Sequence, residues 1–464
     1  MIRKLITRFF HGKSFRIPAG KQGKPSLIEA RNCKLRASDI SPGSLKTVLG
    51  LQKAGYKAYV VGGAVRDLLL GLRPKDFDVA TDATPAEVRS TFRRSRIIGR
   101  RFQIVHVYMG GEIVEVTTFR GQHAAKTDSH GRVLQDNNFG NQAEDAARRD
   151  FTVNALYYDP GKEVVVDYFR GVADIRQRRL RVIGEPARRY REDPVRMLRA
   201  LRLSAKLGMQ IDDASLQQIG TLAPLLDNVP SARCFDELLK FLTSGSSLEA
   251  LNTLRAHRLH LRLLPELDDL FVEQASRSFI ELALSKSDLR IAAGKTVSVT
   301  FILAALFWWK VLALWHKQRE AGERNMPAMF SAIEEVLRQQ SASLAISRRI
   351  AGEVKEIWSM QARFEQRSGK RPYALLDRPR FRAAYNLLSL RAEAGEASAE
   401  LAGWWERFQS ANTGEREKLL ASLASGSHGA KHAGGRARRR RKKGDALASD
   451  RYNKRKRPAH GEFS

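Results

Sequence analysis

At 464 residues the chain is too long for one ordinary core, so several domains are expected. Its 81 Lys and Arg against 50 Asp and Glu give a formal net charge of +31, which points to a polyanionic partner. Cys33 and Cys234 lie far apart, which excludes a disulfide framework or a cysteine-based zinc site and fits a reducing compartment.

Residues 1–38 hold ten basic residues and one acidic residue, with scattered Gly, Pro and Ser and no sustained period. They are expected to form a poorly ordered basic extension. Arg3, Lys4 and Arg8 interrupt any apolar stretch of signal-peptide length. A helix is predicted from Ser44 to about Ala54, followed by strand–helix–strand alternation to about Gly184. Strands are predicted over 58–61, 76–80, 102–109, 113–119 and 164–167. Gly110-Gly111 reads as a hairpin turn. Thr84-Pro85-Ala86-Glu87 reads as a helix start with Thr84 as N-cap, proline at N1 and glutamate at N3.

From Arg191 to about Gln409 helical periodicity dominates, as at Leu198, Leu201, Leu203 and Leu207, with breaks at Asp212-Asp213, Pro230-Ser231 and Pro265. The apolar run 299–315, broken by Lys310, is short for a membrane span and reads as a buried helix. No integral membrane segment is expected. From Gly426 onward thirteen basic residues face three acidic ones, including the runs 438–443 and 454–457. This basic tail cannot bury enough apolar surface to fold alone. Two strongly basic ends favour nucleic acid, with an acidic lipid surface as the rival, and peripheral membrane association stays open.

Tyr59-Val-Val-Gly62-Gly63-Ala-Val-Arg66-Asp67 followed by Asp76-Phe77-Asp78 is the densest chemical signal. An apolar strand runs into a two-glycine turn and then a helix, an arrangement that lets backbone N–H groups approach a phosphate. The next strand carries carboxylates at i and i+2, both pointing from one face. Hard oxygens on one face suit Mg²⁺, so Asp76 and Asp78 are the candidate metal ligands. Arg66 follows the glycines by a turn and can reach the same phosphates. Asp67 can orient Arg66 or Arg73.

Glu144-Asp145-Ala-Ala-Arg148-Arg149-Asp150-Phe-Thr-Val-Asn154 reads as a helix whose end faces a phosphate-rich pocket, since guanidinium forks match phosphate oxygens. Asp150 either completes a carboxylate triad or pairs with an arginine. Glu115, on the strand 113–119, is the competing third carboxylate if that strand neighbours the one bearing Asp76 and Asp78. In Arg191-Glu192-Asp193-Pro194-Val-Arg196-Met-Leu-Arg199-Ala-Leu-Arg202, Asp193 is expected to cap a helix with Pro194 at N1. Arg196, Arg199 and Arg202 line one side of it, and Met197, Leu198 and Leu201 face inward. An acid and an arginine at one helix start can present acceptors and donors to a base edge, or can form a solvated stripe.

These three clusters, in this order over residues 58–208, resemble the class II nucleotidyltransferases, the superfamily of tRNA CCA-adding enzymes and bacterial poly(A) polymerases. Ile98-Gly-Arg-Arg-Phe-Gln-Ile-Val-His106, Arg189-Tyr-Arg-Glu-Asp193, Gly369-Lys-Arg-Pro372, Pro379-Arg-Phe-Arg-Ala-Ala-Tyr-Asn-Leu-Leu388, Trp404-Trp405 and the basic tail look like the poly(A) polymerase branch. With these the likeness spans roughly residues 39–445.

The resemblance implies an α+β fold: a nucleotidyltransferase head with a mixed sheet over residues 39–185, a helical neck over 186–245, and a helical RNA-binding body over 246–425. Residues 426–464 would be a disordered basic tail. It implies that Asp76 and Asp78 bind two Mg²⁺ ions and that Asp150 is a further catalytic acid. Gly62, Gly63, Arg66, Arg148, Asp193, Arg196 and Arg199 would contact the nucleotide, with Asp193 and Arg196 reading the base. The expected activity is template-independent transfer of AMP from ATP to RNA 3′ ends, those of mRNA and small RNA, by a cytoplasmic monomer with RNA-decay proteins among its partners. CCA addition to tRNA is the alternative, and an inactive RNA-binding protein on the same fold is the second.

Overall fold

The structure, a computed structural model, describes residues 24–99, 103–121, 126–127, 133–135 and 139–423. The readings for residues 1–23 and for the basic tail from 426 lie outside these. Contacts divide the chain into two compact units, one running to Glu237 with Asn252–Arg262, the other comprising Leu238–Leu251 and the chain from Leu263.

Eight strands build the sheet of the first unit: β1 (Ser26–Glu29), β2 (Ala58–Val61), β3 (Asp78–Thr81), β4 (Ser95–Ile98), β5 (Ile104–Met109), β6 (Glu112–Thr118), β7 (Leu156–Asp159) and β8 (Val164–Asp167). Their order is β1-β8-β7-β2-β3-β6-β5-β4, and every pairing is antiparallel except β3 with β6. The expected mixed sheet is therefore present. The Gly110-Gly111 hairpin forms as read, with both glycines at positive φ (58° and 89°) between the paired Met109 and Glu112.

Around the sheet lie α1 (Pro42–Lys53), α2 (Gly63–Leu69), α3 (Pro85–Thr91), α4 (Gln142–Arg148), α5 (Gly171–Arg176), α6 (Pro186–Glu192), α7 (Val195–Leu207) and α8 (Asp213–Leu222). Thr84 caps α3 in a complete capping box with Glu87, as its sequence predicts. α1 starts at Pro42, two residues before the predicted Ser44, with Ser41 as its N-cap. Val61, Ala80, Phe119, Ala146, Ala155, Tyr157, Val166 and Ile183 form one buried cluster of the sheet and its helices.

Three strands were not anticipated. β1 falls within the stretch expected to be poorly ordered, where Leu27 and Ile28 pair with Val166 and Val165 at the sheet edge. β4 is a second edge strand. The continuous run Leu156-Tyr157-Tyr158-Asp159 lacks the alternation of a half-buried strand, because β7 is buried on both faces at the sheet centre.

The second unit is helical, with α9 (Gln274–Ala292), α10 (Val299–Leu306), α11 (Trp308–Glu320), α12 (Asn325–Ser343), α13 (Arg348–Gln361), α14 (Arg371–Leu376), α15 (Phe381–Glu393) and α16 (Ala399–Ser410) as its principal elements. The apolar run 299–315 is two helices, bent by 49° at Phe307, with Ile302, Leu303, Trp308, Val311 and Leu312 buried in this core. Lys310, which breaks the run, pairs with Glu266. No single helix among the described residues is long and apolar enough to cross a membrane. Trp308, Trp358, Trp404 and Trp405 are fully buried; the Trp358 and Trp405 indole N–H groups donate to the carbonyls of Ala304 and Phe364.

One ion pair lies inside this helical core. Arg391 donates to Glu396 at 2.5 and 2.9 Å and to Gln361 Oε1 at 2.9 Å, with its guanidinium carbon 4.5 Å from the Trp308 ring centroid. Glu396 also accepts from the Trp308 indole at 3.2 Å. Removing one partner strands the other charge. Glu396→Ala is expected to cost about 3–5 kcal/mol. Replacing Arg391 and Glu396 together by leucine should cost less than that single change. Urea denaturation of the three proteins measures both, and a double variant no more stable than Glu396→Ala would contradict the ionic account.

Candidate active site

β2 ends where the chain must turn sharply. Gly62 sits at φ 69° and ψ −126°, a conformation closed to residues with a Cβ, and its N–H donates to the Leu156 carbonyl of β7 at 3.1 Å. A Cβ there would also lie 3.0 Å from Arg149 Nη1. Gly63 is different: its φ is ordinary, and a Cβ would only touch Arg66 at van der Waals distance.

Arg66, on α2, is buried, and its Nε and Nη2 pair with Asp67 at 2.8 and 2.6 Å. Its Nη1 donates to Asn154 Oδ1 at 2.7 Å. The Asn154 amide in turn donates to Asp150 Oδ1 at 3.0 Å, and that oxygen also accepts the Phe151 N–H. Asp150 Oδ2 lies 2.6 Å from Arg199 on α7. The three sequence clusters are thus joined by one continuous polar chain. Asp150 is thus paired with an arginine.

Asp78 opens β3, whereas Asp76, expected within the same strand, lies two residues before it. The reason lies in the neighbour: the β2–β3 register ends at Val61–Asp78, after which Gly62 turns away and offers Asp76 no backbone. The residue brought beside Asp78 is Glu115. β3 and β6 run parallel with Val79 opposite Val116, so Asp78 and Glu115 each stand one residue earlier on adjacent strands. Glu115 also faces His106 of β5 at 3.6 Å.

Burial and then the Glu115 charge push the Asp78 carboxyl above the usual aspartate range; Arg149 opposes them and Asp76 adds to them. No three acidic, cysteine or histidine groups among the described residues converge closely enough to enclose a cation. Hard carboxylate oxygens carrying uncompensated repulsion, in an open set, nevertheless fit Mg²⁺, which binds through one or two carboxylates and leaves positions for phosphates.

The arginines at the end of α4 divide their tasks. Arg149, at the C-cap, donates to Asp145, Tyr157 Oη and the Asn154 carbonyl, and lies 5.2 Å from the Tyr157 ring centroid. Burial works against its charge, but Tyr157 and Asp145 outweigh it and hold the guanidinium protonated. Arg148 makes one bond, to Asp145 at 3.1 Å, and its side chain is 34% exposed, so it is the freer of the two.

At the expected base-reading pair the helix start differs from the one predicted. Pro194 precedes α7, and Asp193 is the C-cap of α6, its carboxylate only 3.4 Å from the Val195 N–H. Asp193 is held by Arg233, 3.1 Å from both oxygens, while Arg196 bonds the Arg189 carbonyl at 2.6 Å and Glu192 at 3.4 Å. Asp193 and Arg196 are neighbours on the helix entry with separate partners. Arg202 faces Glu237, and Met197, Leu198 and Leu201 are buried as expected.

Arg189, Arg233 and Asn154 escaped the sequence reading as site residues. Arg189 donates to the carbonyls of Arg148 and Arg149 at 2.9 and 2.6 Å, tying α6 to the end of α4. Only the spacing of Asn154, four residues beyond Asp150, offered a local signal.

Three stretches match described families: residues 58–181 the "Poly A polymerase head domain", 208–271 the "Probable RNA and SrmB- binding site of polymerase A", and 321–444 the "Polymerase A arginine-rich C-terminus". Poly(A) polymerase I of Salmonella typhimurium is 43% identical over 413 residues, covering 86% of this chain and 89% of that protein. The chain belongs to the poly(A) polymerase I family. The Haemophilus influenzae member is 42% identical over 85% of this chain and 90% of its own length. A CCA-adding enzyme of Bacillus licheniformis is 36% identical but spans only 46% of this chain and 53% of its own. Among solved structures, the Bacillus stearothermophilus CCA-adding enzyme in complex with CTP superposes with a TM-score of 0.54 at 27% identity, covering 83% of this chain and 84% of that one. The head and helical region expected from the motifs are therefore those of this family.

Two outcomes follow from the geometry. Asn154→Leu removes the amide between two buried charges and should cost about 1–3 kcal/mol, read as a lower urea midpoint. Asp78 is destabilised as an anion in the folded state, so its contribution turns unfavourable as pH rises from the ordinary aspartate value through the raised one. Asp78→Asn should therefore raise the melting temperature at pH 7, with the difference from wild type vanishing in acid. Mg²⁺ should stabilise the wild type by about 1.4 kcal/mol at tenfold above its dissociation constant. An equal Mg²⁺ effect on Asp78→Asn would remove this residue from the metal site.

Proposed function

We propose that this chain transfers AMP from ATP to RNA 3′ ends without a template, releasing pyrophosphate. The observation that carries this reading is the 43% identity to poly(A) polymerase I across 86% of the chain, with the head-domain match over 58–181 holding the first two site clusters. Asp76 and Asp78 would hold the divalent cations, with Glu115 as the third acid because it stands beside Asp78. Bound metal would supply charge stabilisation at the phosphates and a lowered pKa for the attacking hydroxyl.

The chain's own residues would position the reactants. Backbone at the Gly62-Gly63 turn would face the triphosphate, and Arg148 would exchange its Asp145 contact for phosphate oxygens. Arg66 would fix the turn from beneath through Asn154. At the base, the Asp193 carboxylate would accept from the adenine amino group while Arg196 donates to a ring nitrogen. Asp150 would act through Arg199, holding its guanidinium against the same nucleotide. RNA would be bound in part by the stretch 208–271, and the cytoplasm, which supplies ATP and RNA 3′ ends, is the proposed location.

Asp76→Ala or Asp78→Ala should lower AMP incorporation by at least about 10³-fold, corresponding to about 4 kcal/mol of transition-state stabilisation. RNA affinity should stay within about twofold of wild type. Retained turnover in either variant would sink the assignment. A short unstructured RNA given ATP alone should grow a long tail, while CTP alone should add little. A few C and A residues added only to tRNA would instead establish the CCA-adding alternative, which the partial coverage of such relatives makes the weaker reading.

A further inference from the structure

Within the helical unit, Arg378, Arg382, Tyr385, Asn386, Glu406 and Gln409 line a cavity of about 540 Å³ between the start of α15 and the end of α16. That volume falls within the roughly 300–1,000 Å³ of typical ligand sites. Two arginines line it. Arg367, Arg380 and Arg391 are each matched with a carboxylate, Glu400, Glu353 and Glu396, at 2.5–2.7 Å. Arg378 and Arg382 have no such partner among the described residues, and neither does Arg363, whose guanidinium is disfavoured first by burial and then by the charge of Arg378. Arg378 thus repels Arg363 and, with Arg382, lines an open cavity whose one lining carboxylate is Glu406. Such an arrangement is relieved by an anion.

The rest of the lining selects the kind of anion. Tyr385 is half-buried, stacked nearly parallel on Phe381 with ring centroids 6.4 Å apart. Phe381 fixes the plane of the tyrosine ring, and burial with the Glu406 charge raises its hydroxyl pKa and keeps it a donor. Asn386 and Gln409 add amides able to donate and accept at a base edge. A fixed aromatic ring, unpaired guanidinium groups and amides together match a base joined to phosphates, and fit neither a bare inorganic anion nor an apolar ligand.

We propose that this cavity is an accessory subsite for nucleotides of single-stranded RNA, with Tyr385 stacking on a base and Arg378 and Arg382 on flanking phosphates. The choice of RNA over a free nucleotide rests on the reading of the chain as an RNA-extending enzyme. The subsite shares no residue with those assigned to the reaction, so its loss leaves the chemical step intact.

Fluorescence anisotropy of the full chain with a labelled 15-nucleotide oligoadenylate, titrated with salt, tests this. Arg378→Gln with Arg382→Gln should flatten the slope of log affinity against log salt by about 1.4, the loss of two single-strand phosphate contacts. Arg319→Gln, an exposed arginine elsewhere in the unit, should leave the slope nearly unchanged. Tyr385→Leu should weaken binding by about 5- to 100-fold with the slope unaltered, as expected for a lost stack. Tyr385→Phe, which keeps the ring, should bind nearly as wild type. A double arginine variant that behaves like Arg319→Gln, Tyr385→Leu binding as wild type, or displacement of the oligoadenylate from the subsite by millimolar ATP would each overturn the proposal. Pyrophosphate release at saturating RNA should match wild type in all these variants. A wild type that releases none would sink the polymerase reading and leave the binding result standing.

Discussion

A single amide stands between two buried charges of opposite sign, and the geometry of the head depends on it. Asn154 accepts from Arg66 and donates to Asp150, which reaches on to Arg199. The two ends of an amide are not interchangeable, so each partner fixes the orientation seen by the other. Three segments remote in sequence, the helix after the glycine turn, the tight turn after α4, and the long helix α7, are thereby held in one frame. A guanidinium buried as Arg66 is would be costly with any of these partners missing. The arrangement is exacting because so little of it is redundant.

Beside this neutralised network lies its electrostatic opposite. Asp78 and Glu115 are driven together by a parallel strand pairing in a sheet that is otherwise antiparallel, and the nearby Arg149 is already committed to Asp145 and Tyr157. The sheet therefore carries local negative charge within a chain of net charge +31. A cation that bridges carboxylates and substrate phosphates resolves both imbalances at once. Asp78 opens β3 and Glu115 is exposed on β6, which keeps both open to such a cation.

Much of this was legible in the residues. Gly62 announced a turn that only glycine makes, Thr84 and Glu87 a capping box, and Gly110-Gly111 a hairpin, because each of these is a local rule satisfied by local partners. What escaped was set by distant chain. Asp76 left the strand because β2 turns away at Gly62; β7 hid its strand character by being buried on both faces; β1 is a strand only because β8 offers it an edge. Glu115 was recognisable as a candidate, but its place beside Asp78 depended on the β3–β6 pairing, which no local pattern encodes. Arg233, forty residues from Asp193, was invisible for the same reason.

The distribution of tryptophan has an optical consequence. All six indoles of the chain, at 308, 309, 315, 358, 404 and 405, belong to the helical unit. Emission excited selectively at the indole band therefore watches that unit and is blind to the head, where Tyr157, Tyr158 and Tyr190 are buried chromophores of a different band. The two units carry separate spectroscopic labels by composition alone, so the order in which they melt can be followed in the unmodified protein.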